Sequence, residues 1–489
     1  MSSKVQIVGV QGAQESRTDR TIRQRLEKEL RVAAAAERAQ IASGLPGPTV
    51  PKDGIHRPRN LRSKLEVKIP FHRATSRVLA TAYPFLVASG ETLRGPYIGE
   101  DVLARSPFGF DPWLAYSANV VRSHSAAIIG VKGTGKSMLA KSWSCGLMRM
   151  GRKVAVPHDP NGEWGRVSTF AGGKTVGVGG GRHTRINLLD PGERDAAMSD
   201  EDWQADVLQF RRSTMKTVMS QLRGMVPMTP FEHTTIDLVL MHLAHHDTVV
   251  LPMVYDRLRD VDAWTQDEDV RQAARVLAHT VRLVVEGELQ GLFDGESTVT
   301  FDASAPMMVV DTSALKGASP EAKALLRLAT SNWIKRATSG SHRQPRVIVH
   351  EEAAVELLND VAGGGGGGLT EKVAGEKVAR HDGVSNWYLL HRIADLDALG
   401  DRGSAVHSQA LGLLADCDTR ISYAQHEGEL DRSQEVLGWN STMRRIVRRL
   451  EKGEGLWQIG PDRIAKVKNI MTPGMERVFK TDTAGGERR

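Results

Sequence analysis

The sequence predicts an α/β fold on a mainly parallel sheet, and three observations predict it. From about residue 121, short apolar runs alternate with helix-forming stretches. One of those runs, "SAAIIG", passes directly into a glycine cluster, "GVKGTGKS". Another, "RVIVH", passes into a pair of glutamates. Strand–helix alternation of this kind implies parallel strands with helices covering them.

The elements follow in order. Residues 1–60 read as a basic helical arm and linker: "RTIRQRLEKELRVAAAAERAQIA" carries Ile22, Leu26 and Leu30 at helical spacing and stops at the Pro/Gly stretch "SGLPGPTVPKDG". Residues 61–120 mix turn signals with aromatics and read as a small lead-in region packed on the core. Strands are expected at "SAAIIG", "RKVAVP", "STVTFD", "PMMVVDT", "PRVIVHE", "SNWYLLH", "TRISYAQ", "GLWQIG" and "RIAKVKNI". Between 193 and 290 that signal gives way to helical stretches, so an all-α subdomain interrupts a core at 121–192 and 291–480. Its Met225, Met228, Met241 and Met253 read as gap-filling core. "GGGGGG" at 363–368 reads as a mobile loop, and 481–489 as a tail.

Composition narrows the class. The 489 residues are 40% hydrophobic and 25% charged, with no apolar run near the ~18 residues that span a bilayer. The N-terminus shows no secretion signal, and the two cysteines have no partner at metal spacing. A reducing cytoplasm fits. The net charge of +7 is local: residues 1–75 hold 15 Lys and Arg against 7 Asp and Glu, leaving the remainder near −1. Such an arm suits nucleic acid, anionic lipid or an acidic protein face, or is simply a solvated tail.

Gly130, Gly135, Lys136 and Ser137 satisfy G-x-x-x-x-G-K-[ST] between a strand and a helix. Glycines there let backbone N–H groups turn inward around an anion, with Gly133, Thr134 and Met138 completing the cradle. Lys136, expected to face solvent in the empty loop, supplies charge to β/γ-phosphates, and the Ser137 hydroxyl can ligate Mg²⁺. The spacing does not give G-x-G-x-x-[GA], which excludes a dinucleotide fold. A phosphate-binding loop needs an acidic site on a neighbouring strand, and 347–349 runs into Glu351 and Glu352. The first acid, Glu where Asp is more usual, suits the metal shell, and the second suits polarising a water. A pair of helix N-terminal acids is the structural alternative. In "DPNGEW", Asp159 and Glu163 flank a turn, and Trp164 either packs beside a base or anchors that turn. Asp311 is a further strand-end acid. His391 ends "NWYLLH", where a polar tip can sense a γ-phosphate.

The ordered set "GVKGTGKS", "DPNGEW", "RINLLD", "GLFDGEST", "VIVHEEA", "LLHRIADL", "LLADCDTRISYAQ" and "GEGLWQIG" resembles the FtsK–HerA superfamily of P-loop ATPases. Within it, the chain is most similar to TraC-type ATPases of conjugative type IV secretion, in a short actinobacterial form, over roughly residues 70–480. The resemblance implies a RecA-like core, ATP and Mg²⁺ as ligands, and a ring, commonly hexameric, with ATP between subunits. Arg380 or Arg420 would then serve as the positive charge offered to a neighbour's γ-phosphate. It implies a cytoplasmic ATP hydrolase, or one peripheral at the inner face of the membrane, that powers conjugation or secretion machinery. A soluble DNA pump and a nucleotide-binding assembly subunit with little hydrolysis are the alternatives.

Overall fold

A computed structural model describes residues 93–480, apart from 180–182, 195–196, 225, 301, 339–343, 363–381 and 400–403, together with scattered residues between 24 and 35. The chain divides into two compact units, 1–84 and 85–489. In the first, the described residues are helical, from Gln24 to Ala35. Most of the expected arm, positions 61–92, the hexaglycine, Arg380 and the tail lie outside the described residues.

The second unit is organised by one sheet with eleven strands among the described residues. In chain order they are β1 (Tyr97–Asp101), β2 (Ser106–Gly109), β3 (Ala126–Ile129), β4 (Lys153–Asp159), β5 (Lys174–Gly177), β6 (Met307–Asp311), β7 (Arg346–His350), β8 (Val384–Leu390), β9 (Thr419–Ser422), β10 (Glu454–Ile459) and β11 (Arg463–Asn469). Their spatial order is β2-β1-β11-β10-β9-β3-β8-β7-β4-β6-β5. From β9 to β5 every pairing is parallel. From β9 back to β2 every pairing is antiparallel. The sheet is therefore mixed, parallel from β9 to the β5 edge and antiparallel from β9 to the β2 edge. Residues 97–109 do more than pack on the core: they complete the sheet at one edge.

The pleat explains the two faces. On β3, Ala126 and Ile128 point into one apolar cluster and Ala127 and Ile129 into another. The first lies under the helix Lys136–Arg149, whose Leu139, Ala140, Trp143 and Leu147 are buried. Trp143 stacks on Trp387 at 4.0 Å and meets Trp457 edge-on at 5.3 Å. Truncating a ring so enclosed costs about 3–5 kcal/mol, so this trio fixes the first helix of the site to the middle of the sheet. The second face is covered by the helices Ala353–Ala362, Ala405–Asp416 and Glu427–Leu437.

Between 193 and 290 the described residues form helices: Asp200–Leu222, Pro230–His242, Leu251–Arg259 and Glu268–Val285. Their starts are legible locally. Thr229 and Glu232 form a reciprocal capping box with Pro230 at the first helical position. Asp267 caps the last helix, whose Val270, Ala274, Leu277, Val281 and Val284 make one buried stripe. Two expectations are corrected here. Met228 and Met253 do pack against this core, but Met241 faces outward and is 55% exposed. "STVTFD" forms no strand in its described residues: Thr298 N donates to the Arg185 carbonyl, and the Ser297 and Thr298 hydroxyls accept from the backbone N–H groups of Asn187 and Arg185, which ties the segment to a loop and not to a strand.

Candidate nucleotide site

Four adjacent parallel strands, β3, β8, β7 and β4, bring their C-terminal ends together, the edge where α/β sheets bind ligands. The glycine loop follows β3, His391 follows β8, Glu351 and Glu352 follow β7, and Asp159 to Trp164 follow β4.

The loop is shaped by close approach and by handedness. A Cβ on Gly130 would lie 2.5 Å from the Tyr423 Cβ, and Gly135, which caps the following helix, has φ 116°. Gly130→Ala is expected to lower stability by about 1–3 kcal/mol through overpacking, read as a lower denaturant midpoint. A parental midpoint would show that Tyr423 moves aside freely. Thr134 Oγ donates to the Val131 carbonyl at 2.8 Å, and Gly453 N donates to the Thr134 carbonyl at 2.9 Å, so the "GEG" turn buttresses the loop.

Lys136 is not solvent-facing, contrary to the sequence expectation. It is 5% exposed and donates to the carbonyls of Gly130 at 2.5 Å and Val131 at 3.1 Å. The reason is elementary: a buried ammonium must have hydrogen-bond acceptors, and these two loop carbonyls supply them. His391 Nδ1 lies 3.2 Å from Lys136 Nζ. Burial lowers the Lys136 pKa to about 8 against the pull of Glu351, and burial together with Lys136 lowers that of His391. A neutral His391 ring accepts from the ammonium, which joins the strand-end residue to the loop.

The two glutamates sit in different environments. Glu351 is held at both oxygens: Ser137 Oγ donates to Oε1 at 2.6 Å and Trp164 Nε1 donates to Oε2 at 2.9 Å. Burial raises its pKa, opposed by those bonds and by Lys141. The Glu352 carboxylate takes no hydrogen bond from the described residues, and burial and then Glu356 raise its pKa. Glu356 is itself paired with His350 Nδ1 at 2.7 Å. One acid is clamped and the other is available.

Asp159 accepts from Trp164 N at 2.8 Å and Glu163 N at 3.1 Å, so it shapes the turn. Trp164 is fully buried, which removes the base-packing alternative and leaves the anchor. Glu163 pairs with Lys141 at 2.8 Å. Asp311 Oδ1 caps its own turn by accepting from Ser313 N at 2.9 Å. Arg420 donates to the carbonyls of Leu414, Ala415 and Cys417, at the end of the helix Ala405–Asp416. These bonds hold its guanidinium within its own chain. Sequence reasoning missed the Trp164 and Lys141 contacts.

Among the described residues no group of three or more His, Cys, Asp or Glu is arranged to hold a metal ion. The Ser137 hydroxyl and a Glu351 oxygen, 2.6 Å apart, are the hard oxygen donors that Mg²⁺ takes alongside water and phosphate, so the residues fit it.

No family model matches the chain. No curated protein matches it either. Among solved structures, VirB4 of Thermoanaerobacter pseudethanolicus is similar with a TM-score of 0.61 and 19% identity over 78% of this chain and 98% of that one. The fold is RecA-like. The bacterial plasmid coupling protein TrwB, in complex with ADP and Mg²⁺, matches with a TM-score of 0.49 and 14% identity over 78% of this chain and 90% of that one. In this RecA-like frame no helix among the described residues is long and apolar enough to cross a membrane.

Proposed function

We propose that the chain is an ATP-hydrolysing motor that powers conjugative transfer or type IV secretion. The observation that carries the hydrolytic part is the Ser137–Glu351 hydrogen bond at 2.6 Å, which joins the phosphate loop to the strand-end acid with Glu352 left available beside it. The transport part is supported by the motif order shared with TraC-type ATPases and by the likeness in fold to VirB4.

In this reading Lys136 leaves the Gly130 and Val131 carbonyls for the β/γ-phosphates. Glu352 orients the attacking water and accepts its proton. His391, released from Lys136, reports the γ-phosphate to the segment Ile393–Leu399 that follows it. Ser137 and Glu351 would hold Mg²⁺, which supplies charge neutralisation when bound. We assign self-assembly into a ring, a hexamer in the family resembled, with ATP between copies. Arg380 or Arg420 is the trans charge, and Arg420 would first have to break its three carbonyl bonds. The division into 1–60, 61–120, 121–192 with 291–480, 193–290 and 481–489 belongs to the same proposal, as do the cytoplasmic or membrane-peripheral position, contact with the secretion machinery, and DNA as a partner.

Phosphate release by the purified oligomer tests this reading. Turnover no faster than spontaneous hydrolysis would leave an assembly subunit, whereas salt-sensitive stimulation by DNA would favour the DNA pump. Deleting residues 1–60, where the positive charge is concentrated, is expected to leave basal turnover within about twofold but to weaken recruitment to membranes or nucleic acid, measured by co-sedimentation. A folded truncation without turnover would make the arm part of the motor.

A further inference from the structure

The helix that follows the glycine loop reaches the metal-side acid by two routes. Ser137 and Lys141 are four residues apart and so share one face of Lys136–Arg149. Ser137 bonds Glu351 Oε1 directly. Lys141, only 1% exposed, pairs with Glu163 at 2.8 Å, and its Nζ lies 5.9 Å from the centre of the Trp164 ring. Trp164 in turn donates to Glu351 Oε2 at 2.9 Å. Its backbone N–H is fixed by Asp159. A buried lysine is costly, and a fully buried apolar ring needs no N–H at all. This turn nevertheless carries a donor-only indole aimed at an acceptor-only carboxylate.

We propose that Trp164, set in place by Asp159 and the Lys141–Glu163 pair, is a positioning residue for Glu351: it engages Oε2 so that Oε1 is presented beside Ser137 to a divalent cation. The inference rests on the nucleotide-site reading above and adds what organises its metal side. Residues that orient a metal ligand without touching the metal typically contribute 10–100-fold in affinity.

The test measures binding and does not use turnover. A fluorescent ATP analogue is titrated onto the full chain in EDTA, then at increasing Mg²⁺. Trp164→Phe keeps a ring and removes the donor. Should it fail to fold, judged by its thermal transition, a tryptophan isostere with sulfur in place of the indole N–H at position 164 keeps the shape and removes the same donor. Expected is an EDTA affinity within about twofold of the parent, with the Mg²⁺ concentration at half effect raised about tenfold or more. A folded variant with a parental Mg²⁺ dependence would overturn the inference, leaving Trp164 as a core anchor. A parent protein that binds no analogue would instead remove the nucleotide-site reading itself, so the two failures are distinct.

Discussion

Lys136→Ala is expected to reduce ATP turnover by on the order of 10²–10³-fold or more, the loss that follows removal of one preorganised charge-stabilising donor. In the structure this ammonium lies within 3.1 Å of two loop carbonyls and 3.2 Å from His391 Nδ1, so it needs only to exchange partners when phosphates arrive. Folding should be little affected. The variant loses charge-assisted hydrogen bonds worth about 1.5–3 kcal/mol each, and this is offset because it also loses the cost of keeping a charge in a buried place. Phosphate release and thermal unfolding, measured side by side, separate the two effects, and undiminished turnover in a folded variant would remove the phosphate-cradle assignment. A pH dependence follows with a definite sign. Burial lowers the Lys136 pKa to about 8, and a bound polyphosphate favours the charged form, so binding above pH 8 must take up a proton. ATP affinity in the parent should therefore fall by up to about tenfold per unit as pH rises beyond 8, and this slope should be absent in Lys136→Ala.

What could be read from the sequence was local. β3, β4 and β6 through β11 coincide with apolar runs long enough to be recognised, and the loop and acid pair were visible because each is a few contiguous residues with a distinct chemistry. β1, β2 and β5 were not visible. "YIGED", "SPFG" and "KTVG" are short and carry Gly or Pro; β2 and β5 are the edge strands, paired on one side only, and β1 lies next to an edge, so none presents a long apolar run. "STVTFD" has the β-branched composition of a strand, yet loop contacts claim its hydroxyls, and composition does not reveal that. The site residues beyond the motifs depend on distant contacts. Trp164 and Glu351 are 187 positions apart, and Lys136 and His391 are 255 apart, so neither pairing has a local pattern. Trp164 gave one weak signal, a large aromatic beside an acid in a Gly-containing turn, which leaves both anchor and base platform open.

Glu352→Gln and Glu351→Gln are expected to fail in different ways. At Glu352 the amide keeps the size of the side chain, and no hydrogen bond from the described residues is lost, so the strand end and the helix Ala353–Ala362 should persist. What disappears is the basic oxygen that accepts a proton from the attacking water. Burial and Glu356 raise the Glu352 pKa toward the working pH, which suits a general base. Loss of such a group costs about 10²–10⁴-fold in turnover, with Mg·ATP binding retained. At Glu351 the amide must choose an orientation. Trp164 Nε1 can only donate, so the amide oxygen stays on Trp164, and the NH₂ group turns toward Ser137 Oγ, which can accept it. That places a donor where a cation needs an oxygen, so Glu351→Gln should raise the Mg²⁺ requirement along with slowing turnover. Single-turnover hydrolysis across a Mg²⁺ titration reads both properties in one experiment. If Glu351→Gln traps ATP at parental Mg²⁺ while Glu352→Gln turns over normally, the two roles are reversed. If both retain full activity, the pair is only the charged start of a helix, and the water-activating group must lie elsewhere along the same sheet edge.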